Sequence, residues 1–456
     1  MAFTGDHSEL ESCLICGEPR RDARGKRRNT SYHFSIVDRL RGMYQDAGRS
    51  RELNRDNAPP NDDPDMLSDK FDGDYFKDLS QRTVKVQGVD TGYRYFADGR
   101  DISLTVSLDG FTFFETVGKQ VNKTKYNTWL IIAIIDNLDP LVRTQRKNIM
   151  VLAVIPGPGS PKDLNSYLHW FKRDLYILSI GVLSWDAAKR EWFLLRAFLL
   201  WLIGDMPAIA HIMNMKGHNG KRPCRACYIQ GTRNITDGKT THYAVLTRPD
   251  GSRLEISDLM ENNMRTHQSF IDDNYDIQEV QENGSAAALK RVQQDCGIRG
   301  WSILHTLDSI SFPQSFPHDL MHLGGLNVIP NFVSIWAGDF NGLKDVGGNF
   351  DYLLSPDELA VVGQRTEQAN LYIPYAFSRA IPNIARKQSM TADAWFFWFL
   401  AIAPYALHGI LKEPFYSHAM DLARIIRTCM KFKITRTEVT GTLTEMCYKW
   451  VRDYEQ

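Results

Sequence analysis

The pattern of apolar and polar residues predicts a set of β-strands in the first half of the chain. Over 102–108, apolar residues alternate with serine and threonine, which is the period of a strand that buries one face. The apolar runs at 129–135 and 150–155 predict two more strands, and a helical period follows over 164–178. A further apolar run at 193–203 predicts the last strand of this group.

Two aspartates lie at the ends of these predicted strands. Asp109 follows the alternating strand on its polar face, so we expect a half-sheltered and rigidly held carboxylate. Asp205 follows the last apolar run, in the turn GDMP. Open α/β sheets bind ligands outside the carboxyl ends of their strands, so the two acids can share a divalent metal ion if their strands are neighbours. The simpler interpretation is that each aspartate only ends a strand or caps a helix.

The order of the predicted elements indicates the fold class. Three strands, a helix and another strand, with an acid in the first strand and a second acid after the last, match an RNase H-like mixed sheet. We therefore predict an α/β plus α protein. We divide it into four regions. Residues 1–80 form a Cys-containing basic segment with an acidic linker and little periodic structure, and residues 81–235 form the RNase H-like core. Residues 236–304 form a polar, loop-rich insertion with an exposed loop at 262–285, and residues 305–456 form a mainly helical region.

Charge is informative locally rather than for the whole chain. The 456 residues include 54 Lys and Arg against 54 Asp and Glu, with 43% hydrophobic and 24% charged residues, as in ordinary globular proteins. From Arg20 to Arg55, eleven basic residues stand against four acids, a net charge of +7, and an acidic, proline-bearing stretch typical of a linker follows. The basic segment is either a surface that contacts phosphates or a solvated arm.

We expect an intracellular protein with no membrane partner. The first residues, MAFTGDHSEL, lack the apolar core of a secretory signal. The longest apolar stretch, 395–411, is short for a bilayer span and contains Pro404 and His408. A buried helix therefore explains it better than a membrane span.

Four of the seven cysteines form two C-x-x-C pairs, Cys13/Cys16 and Cys224/Cys227. In a reducing compartment this spacing indicates a metal site before it indicates a disulfide. The first pair is the weaker zinc candidate, because no second pair follows it.

The pair Cys224/Cys227 needs two further ligands to hold zinc tetrahedrally, and His218 and His211 lie close upstream. Such a closed site would be structural, since it leaves no open position for water. The alternative is a pair of buried thiols with surface histidines.

A set of motifs runs through the chain in a fixed order: SLDGF, NLDP, VIPGPGSPKDLNSYL, GDMPA, KGHNGKRPCRACYIQG, FPHDLMHLGGLNVIPNFVSIWAGDFNGL and IPNIARKQSMTADAWFFW. Each motif is weak by itself, but the combination of D-L-M-H downstream of G-D-x-P-A and C-R-x-C is specific for a protein family. The ordered set of motifs resembles the transposase of CACTA (En/Spm) DNA transposons in its fungal form. The N-terminal CLICGEPRRDARGKRRNTSYHFSIVDRLRGMY is also similar to that family's opening segment.

The resemblance implies a DDE-type enzyme that acts on DNA at transposon ends in the nucleus, as a homo-oligomer. Three carboxylates then hold two Mg²⁺ or Mn²⁺ ions, and Asp109 and Asp205 match the first two. The third, a helix-borne glutamate, is expected after a helical insertion. The family pattern continues beyond a segment like WVRDYEQ. We therefore expect this chain to be truncated before that glutamate, and we expect its catalytic activity to be weak or absent when it acts alone.

Asp319 and His322 in FPHDLMH are three residues apart, which places both on one helix face. The family resemblance favours His322 as a zinc ligand with Cys224 and Cys227. The pair can instead orient a catalytic carboxylate, or cap and line the helix. We prefer these last two roles to direct catalysis.

Two other functions stay open from the residues alone. One is a catalytically inactive, transposon-derived protein that binds DNA or another partner. The other is a zinc-stabilised nuclease that uses Asp319 as its third acid. Loss of metal-dependent activity in Asp319→Asn would support this nuclease.

Overall fold

The computed structural model of this chain describes residues 1–57, 61–112, 127–157, 159–233, 242–340, 350–374, 376–377, 380–386 and 390–455. The chain folds into two compact units. The first contains Met1–Asp62 and Asp69–Pro317, and the second contains Asp63–Ser68 and His318–Gln456. The limits of the four predicted regions remain predictions.

The strands in the described residues are β1 Tyr32–His33, β2 Met66–Leu67, β3 Thr83–Val86, β4 Val89–Arg94, β5 Ile102–Thr112, β6 Asn127–Ile135, β7 Met150–Ile155, β8 Val182–Asp186, β9 Glu191–Leu195, β10 Ala197–Ile203, β11 Thr232–Arg233, β12 His242–Tyr243 and β13 Ile434–Thr435. The α-helices are α1 Ile36–Tyr44, α2 Ala47–Leu53, α3 Asp74–Ser80, α4 Leu164–Ile180, α5 Met206–Ile212, α6 Ile256–Asn262, α7 His267–Asn283, α8 Ala286–Cys296, α9 Ile329–Trp336, α10 Pro356–Ala369, α11 Ala392–Phe397, α12 Ala403–Ala406, α13 Phe415–Cys429, α14 Arg436–Glu438 and α15 Thr444–Tyr454. Segments of π-helix cover Met321–Val328, Trp398–Ile402 and Val439–Leu443, and 3₁₀ turns cover Gly5–His7, Arg55–Asn57, Lys70–Asp72, Arg146–Asn148 and Ile303–Thr306.

A mixed five-stranded sheet organises the first unit, with the strand order β1-β7-β6-β5-β10. Strands β5, β6 and β7 are antiparallel neighbours, and β1 lies antiparallel to β7 at one edge. Strand β10 runs parallel to β5, so the carboxyl ends of these two strands lie at the same edge of the sheet.

The apolar positions of β5 build the core of this unit, as their period predicts. Ile102, Leu104, Val106 and Leu108 are each at most 1% exposed and lie in one hydrophobic cluster with the buried face of α4. The strands predicted at 102–108, 129–135 and 150–155 and the helix predicted at 164–178 are thus confirmed.

The prediction of one strand over 193–203 is wrong, because the chain changes partners at Arg196. Before this residue β9 pairs with β8 in a separate hairpin, and after it β10 joins the central sheet. The Arg196 guanidinium carbon lies 3.6 Å from the centroid of the Tyr93 ring. This cation–π contact holds the break between the two strands.

Two predictions of irregular structure are also wrong. The polar stretch at 262–285, predicted as an exposed loop, contains the four-turn helix α7, whose Phe270, Asn274 and Ile277 are buried. The predicted lack of periodic structure before residue 80 is contradicted by α1, α2 and α3, of which α1 and α2 begin at the capping side chains of Ser35 and Asp46.

Helices dominate the second unit, as predicted for the chain from residue 305 onward. Its hydrophobic core contains Trp398, Phe399 and Ile402, which lie in the longest apolar run of the sequence. That run is helical and buried on one side, which confirms the interpretation as a core helix. Among the described residues, no helix is both long enough and apolar enough to cross a membrane.

Candidate active site

The register of the sheet brings the segments that carry Asp109 and Asp205 next to each other. Ile203 of β10 pairs with Ser107 of β5, and the two aspartates come two residues further along each strand. A Cβ placed on Gly204 would lie 3.3 Å from the carbonyl oxygen of Leu108, so the strands are still in contact one residue before the acids. The condition for a shared ligand, that the strands be neighbours, is therefore met.

Asp205 caps the helix that follows it. Its Oδ1 accepts a hydrogen bond from the backbone amide of Ala208 at 2.7 Å, and Pro207 occupies the first turn of α5. The capping interpretation is thus confirmed for this residue. Among the described residues no second donor reaches the carboxylate, so its Oδ2 is available to a ligand.

Asp109 is exposed, and the expectation of a half-sheltered carboxylate is wrong. Burial falls along the polar face of β5, from the fully buried Ser103 and Thr105 to a half-buried Ser107. The buried end of that face is closed by Asp136, which accepts hydrogen bonds from Ser103 and Thr105, and nothing comparable covers the Asp109 end among the described residues. The Asp109 Oδ1 accepts the amide of Gly110 at 2.7 Å, and no other donor in the described part of the chain reaches this carboxylate.

An aromatic side chain packs at the residue after Asp109 and was not predicted. Gly110 pairs with Trp129 of β6, and a Cβ on Gly110 would lie 3.2 Å from the indole Nε1 of Trp129. The glycine therefore leaves room for the ring, which packs against the hydrophobic core on the face of the sheet opposite to that of Asp109. The dipeptide D-G and the tryptophan that opens the run WLIIAII are the sequence signals for this contact.

His211, predicted only as a zinc candidate, belongs to the surroundings of Asp205. It lies on α5, and its ring meets the Trp129 ring edge to face, with centroids 6.4 Å apart. Burial and the positive charge of Arg299 lower the pKa of His211, and the negative charge of Asp205 offsets this only in part. A neutral imidazole thus borders the site.

Neither aspartate forms an ion pair with a residue that the structure describes. Within the described ranges no group of three or more His, Cys, Asp or Glu side chains converges as a metal site.

Cys224 and Cys227 lie close together in the first unit. The hydrogen bond between the two thiols lowers the pKa of Cys224 to about 6 and raises that of Cys227. His218 is exposed, and His322 lies in the second unit. The described residues bring no third ligand to the thiols, and zinc at this pair stays a prediction.

The buried Arg265 organises the loop that carries these cysteines. Its Nε donates to the carbonyl of Cys224 at 3.2 Å, its Nη2 donates to the carbonyl of Cys296 at 2.6 Å, and its Nη1 pairs with Asp273 at 3.3 Å. The ring of Tyr228 lies 4.0 Å from its guanidinium carbon. This anchor could not be predicted from the sequence, because the partners of Arg265 are mostly backbone carbonyls.

Cys13 and Cys16 form a tight turn near the amino terminus. Cys13 donates its amide to the Glu18 carbonyl at 2.9 Å, and Gly17 donates to the Cys13 carbonyl at 2.8 Å. Burial alone would raise the pKa of Cys13, but hydrogen bonds from the backbone amides of Ile15 and Cys16 lower it to about 7. Zinc at this pair remains a prediction.

Asp319 and His322, in the second unit, form the pair that their spacing predicts. Asp319 Oδ1 accepts the amide of Met321 at 2.8 Å, and its Oδ2 lies 2.6 Å from the Nδ1 of His322. The capping role of Asp319 is thus confirmed. A role in orienting a catalytic carboxylate remains a prediction.

Residues 80–253 match the family model described as "Transposase family tnp2". This segment contains Asp109, Asp205 and the Cys224/Cys227 pair, so the match supports a transposase family. No curated protein sequence matches the chain.

Proposed function

We propose that this protein is a DDE-type transposase of the CACTA (En/Spm) kind found in fungi, which cleaves and joins phosphodiester bonds at transposon ends in the nucleus. The observation that carries the proposal is the placement of Asp109 near the carboxyl end of β5 and of Asp205 just after the parallel neighbour β10. The match of residues 80–253 to a transposase family covers both strands.

The topology of the sheet supports an RNase H-like fold as part of the proposal. In that arrangement three consecutive antiparallel strands are followed by a helix and by a strand that lies parallel to the first. Strands β5, β6 and β7, helix α4 and strand β10 follow this order, apart from the inserted hairpin of β8 and β9. The first acid lies near the carboxyl end of β5 and the second follows β10, where ligands of α/β sheets bind.

The two carboxylates fit a hard divalent cation, because Mg²⁺ and Mn²⁺ prefer oxygen ligands. Asp109 and Asp205 would each hold such an ion through an oxygen that the backbone amides of Gly110 and Ala208 leave free. When bound, the ions activate the attacking hydroxyl and stabilise the leaving oxygen of an in-line displacement. The protein's own contribution is rigidity, since the helix cap fixes Asp205 and the sheet fixes Asp109.

Zinc belongs to the proposal as a structural ion. Cys224 and Cys227 would supply two thiolates, and a thiol whose pKa is already lowered to about 6 loses its proton readily to a metal. His218 is the candidate third ligand from the same unit, and Cys13/Cys16 is the weaker second zinc candidate.

A catalytically inactive, DNA-binding derivative is the second candidate function. It is favoured by one observation: the described residues contain no group of three acids or other ligands around Asp109 and Asp205. In that case the fold and the contact with DNA persist without strand cleavage.

Manganese binding and DNA nicking together test the proposal. We expect Mn²⁺ to bind the full chain, as measured by electron paramagnetic resonance, and to support nicking of supercoiled DNA. Asp109→Asn and Asp205→Asn should each weaken Mn²⁺ binding at least tenfold and abolish nicking, because each removes one carboxylate charge from the pair.

The matched control is Asp46→Asn, which alters a second aspartate that caps a helix of the same unit. Asp46 accepts the amide of Arg49 at 2.7 Å, as Asp205 accepts that of Ala208. The Asp46→Asn variant should bind Mn²⁺ as tightly as the unchanged protein does. Equal loss in all three variants would refute the metal site, and Mn²⁺ binding without any nicking would favour the inactive derivative.

A further inference from the structure

The most basic segment of the chain folds as a hairpin at the amino-terminal end of the first unit. Residues 20–28, here called the basic hairpin, are held by antiparallel backbone hydrogen bonds: Asp22 donates to Lys26 at 2.8 Å, and Arg28 donates to Arg20 at 3.3 Å. The Asp22 carboxylate accepts the amides of Arg24 and Lys26, both at 2.9 Å, and so shapes the tip. The segment predicted as an arm is therefore an ordered element.

The basic hairpin concentrates positive charge that the protein itself leaves unused. It contains six basic residues and one acid, Asp22, for a net charge of +5. Arg28 pairs with Glu18, and Arg20 and Arg21 donate to backbone carbonyls. The remaining cations, Arg24, Lys26 and Arg27, are exposed and form no ion pair with any residue in the described ranges.

A groove of about 940 Å³ runs beside the basic hairpin and adds aromatic surface to this charge. Its lining includes Arg27 of the hairpin, Tyr32 of β1 and Trp170 of α4. Tyr32 is 60% exposed and Trp170 is 40% exposed, so both rings can be reached from solvent. Water is a poor environment for such rings, and unpaired nucleic-acid bases stack on them favourably.

We propose that this groove binds single-stranded DNA. The cations of the basic hairpin contact the phosphates, and unpaired bases stack on Tyr32 and Trp170. A positively charged rim with exposed aromatic rings inside it is the combination that recognises single strands without reading their sequence. The choice of DNA over another polyanion rests on the proposed function. The groove itself shares none of the residues of the Asp109 and Asp205 pair.

Fluorescence anisotropy with labelled 20-nucleotide DNA, in buffer without Mg²⁺ or Mn²⁺ so that no strand is cut, tests this site. The triple variant Arg24→Ala, Lys26→Ala, Arg27→Ala should bind about 100-fold more weakly at 0.1 M salt, with a salt slope reduced by roughly 2 to 3, as expected for three lost phosphate contacts. Tyr32→Ala should weaken single-strand binding about tenfold and leave duplex binding unchanged. These substitutions leave the Asp22 turn intact, and thermal unfolding checks that the fold persists.

The matched control removes three exposed cations elsewhere on the first unit, Lys147→Ala, Lys290→Ala and Arg291→Ala. It should cost less than threefold in affinity, because its charges lie outside the groove. An equal loss in both triple variants would overturn the site, and so would tighter binding to duplex DNA or to RNA of the same sequence. The triple variant of the basic hairpin should still bind Mn²⁺ as the unchanged protein does, because the groove shares no residue with the Asp109 and Asp205 pair, so a failure of this groove is told apart from a failure of the proposed catalytic site.

Discussion

Asp109 and Asp205 differ in how firmly the backbone holds their carboxylates, although both lie at the carboxyl-terminal part of neighbouring strands. Asp205 is fixed by its helix cap, whereas the exposed Asp109 carboxylate accepts, among the described residues, the amide next to it and no other. Both positions could be predicted from the sequence, because strand period and the GDMP turn are local signals. Trp129 and His211 could not be assigned to the same place, since only the sheet register and the packing of α5 bring them there.

The buried Asp101 gives the protein a pH-dependent stability at the residue scale. Burial raises its pKa to about 7 even though the Tyr93 hydroxyl donates to it at 2.9 Å, and its Oδ1 has no hydrogen-bond partner. The folded state therefore holds this proton more tightly than the unfolded state, whose pKa is near 4. The contribution of Asp101 to the free energy of unfolding is greatest below the unfolded pKa and falls as the pH rises from about 4 to about 7, by up to about 4 kcal/mol.

We expect Asp101→Asn to remove most of that fall, because the amide carries no charge at any of these pH values. Urea unfolding of both proteins at pH 5 and pH 8 measures the effect. The variant should lose less free energy of unfolding between the two pH values than the unchanged protein does. Parallel pH profiles would show that Asp101 does not titrate in this range.

At the scale of elements, local sequence patterns predicted a strand or helix correctly where one face of the element is apolar. They failed where contacts between distant residues determine the element. The strands β5, β6 and β7 follow their period. The break between β9 and β10 depends on Arg196 meeting Tyr93, which lies about a hundred residues earlier in the chain. Helix α7 was missed because its mean composition is polar, although Phe270 and Ile277 recur at helical spacing and are buried.

Helix α5 offers a way to separate the structural role of Asp205 from its proposed chemical one. Asp205→Ala removes the cap and should lower the free energy of unfolding by about 1 kcal/mol. Asp205→Ser keeps a capping oxygen and should change the stability by only a few tenths of a kcal/mol. Both variants should lose Mn²⁺ binding, as followed by calorimetry alongside urea unfolding. Retained Mn²⁺ binding in Asp205→Ser would mean that the residue is a cap and nothing more.

At the scale of the whole molecule, each unit has its own hydrophobic core. The cluster that contains Leu104 draws its residues from the first unit, and the cluster that contains Phe399 draws them from the second. Both side chains are 0% exposed. The sequence predicted this contrast between a sheet-based part and a helical part, because the period of the apolar positions changes from two to that of a helix along the chain.

Separate cores predict separate unfolding. Phe399→Ala should cost about 3 to 5 kcal/mol and Leu104→Ala about 2 to 5 kcal/mol, each within its own unit, because a cavity is felt by the side chains that surround it. Hydrogen exchange followed by mass spectrometry should therefore speed up in α9 and α13 for Phe399→Ala, and in β5 and β6 for Leu104→Ala. Each variant is the control for the other. Faster exchange in both units for either variant would mean that the two cores unfold as one, and the Asp109 and Asp205 edge would then depend on the helical unit for its stability.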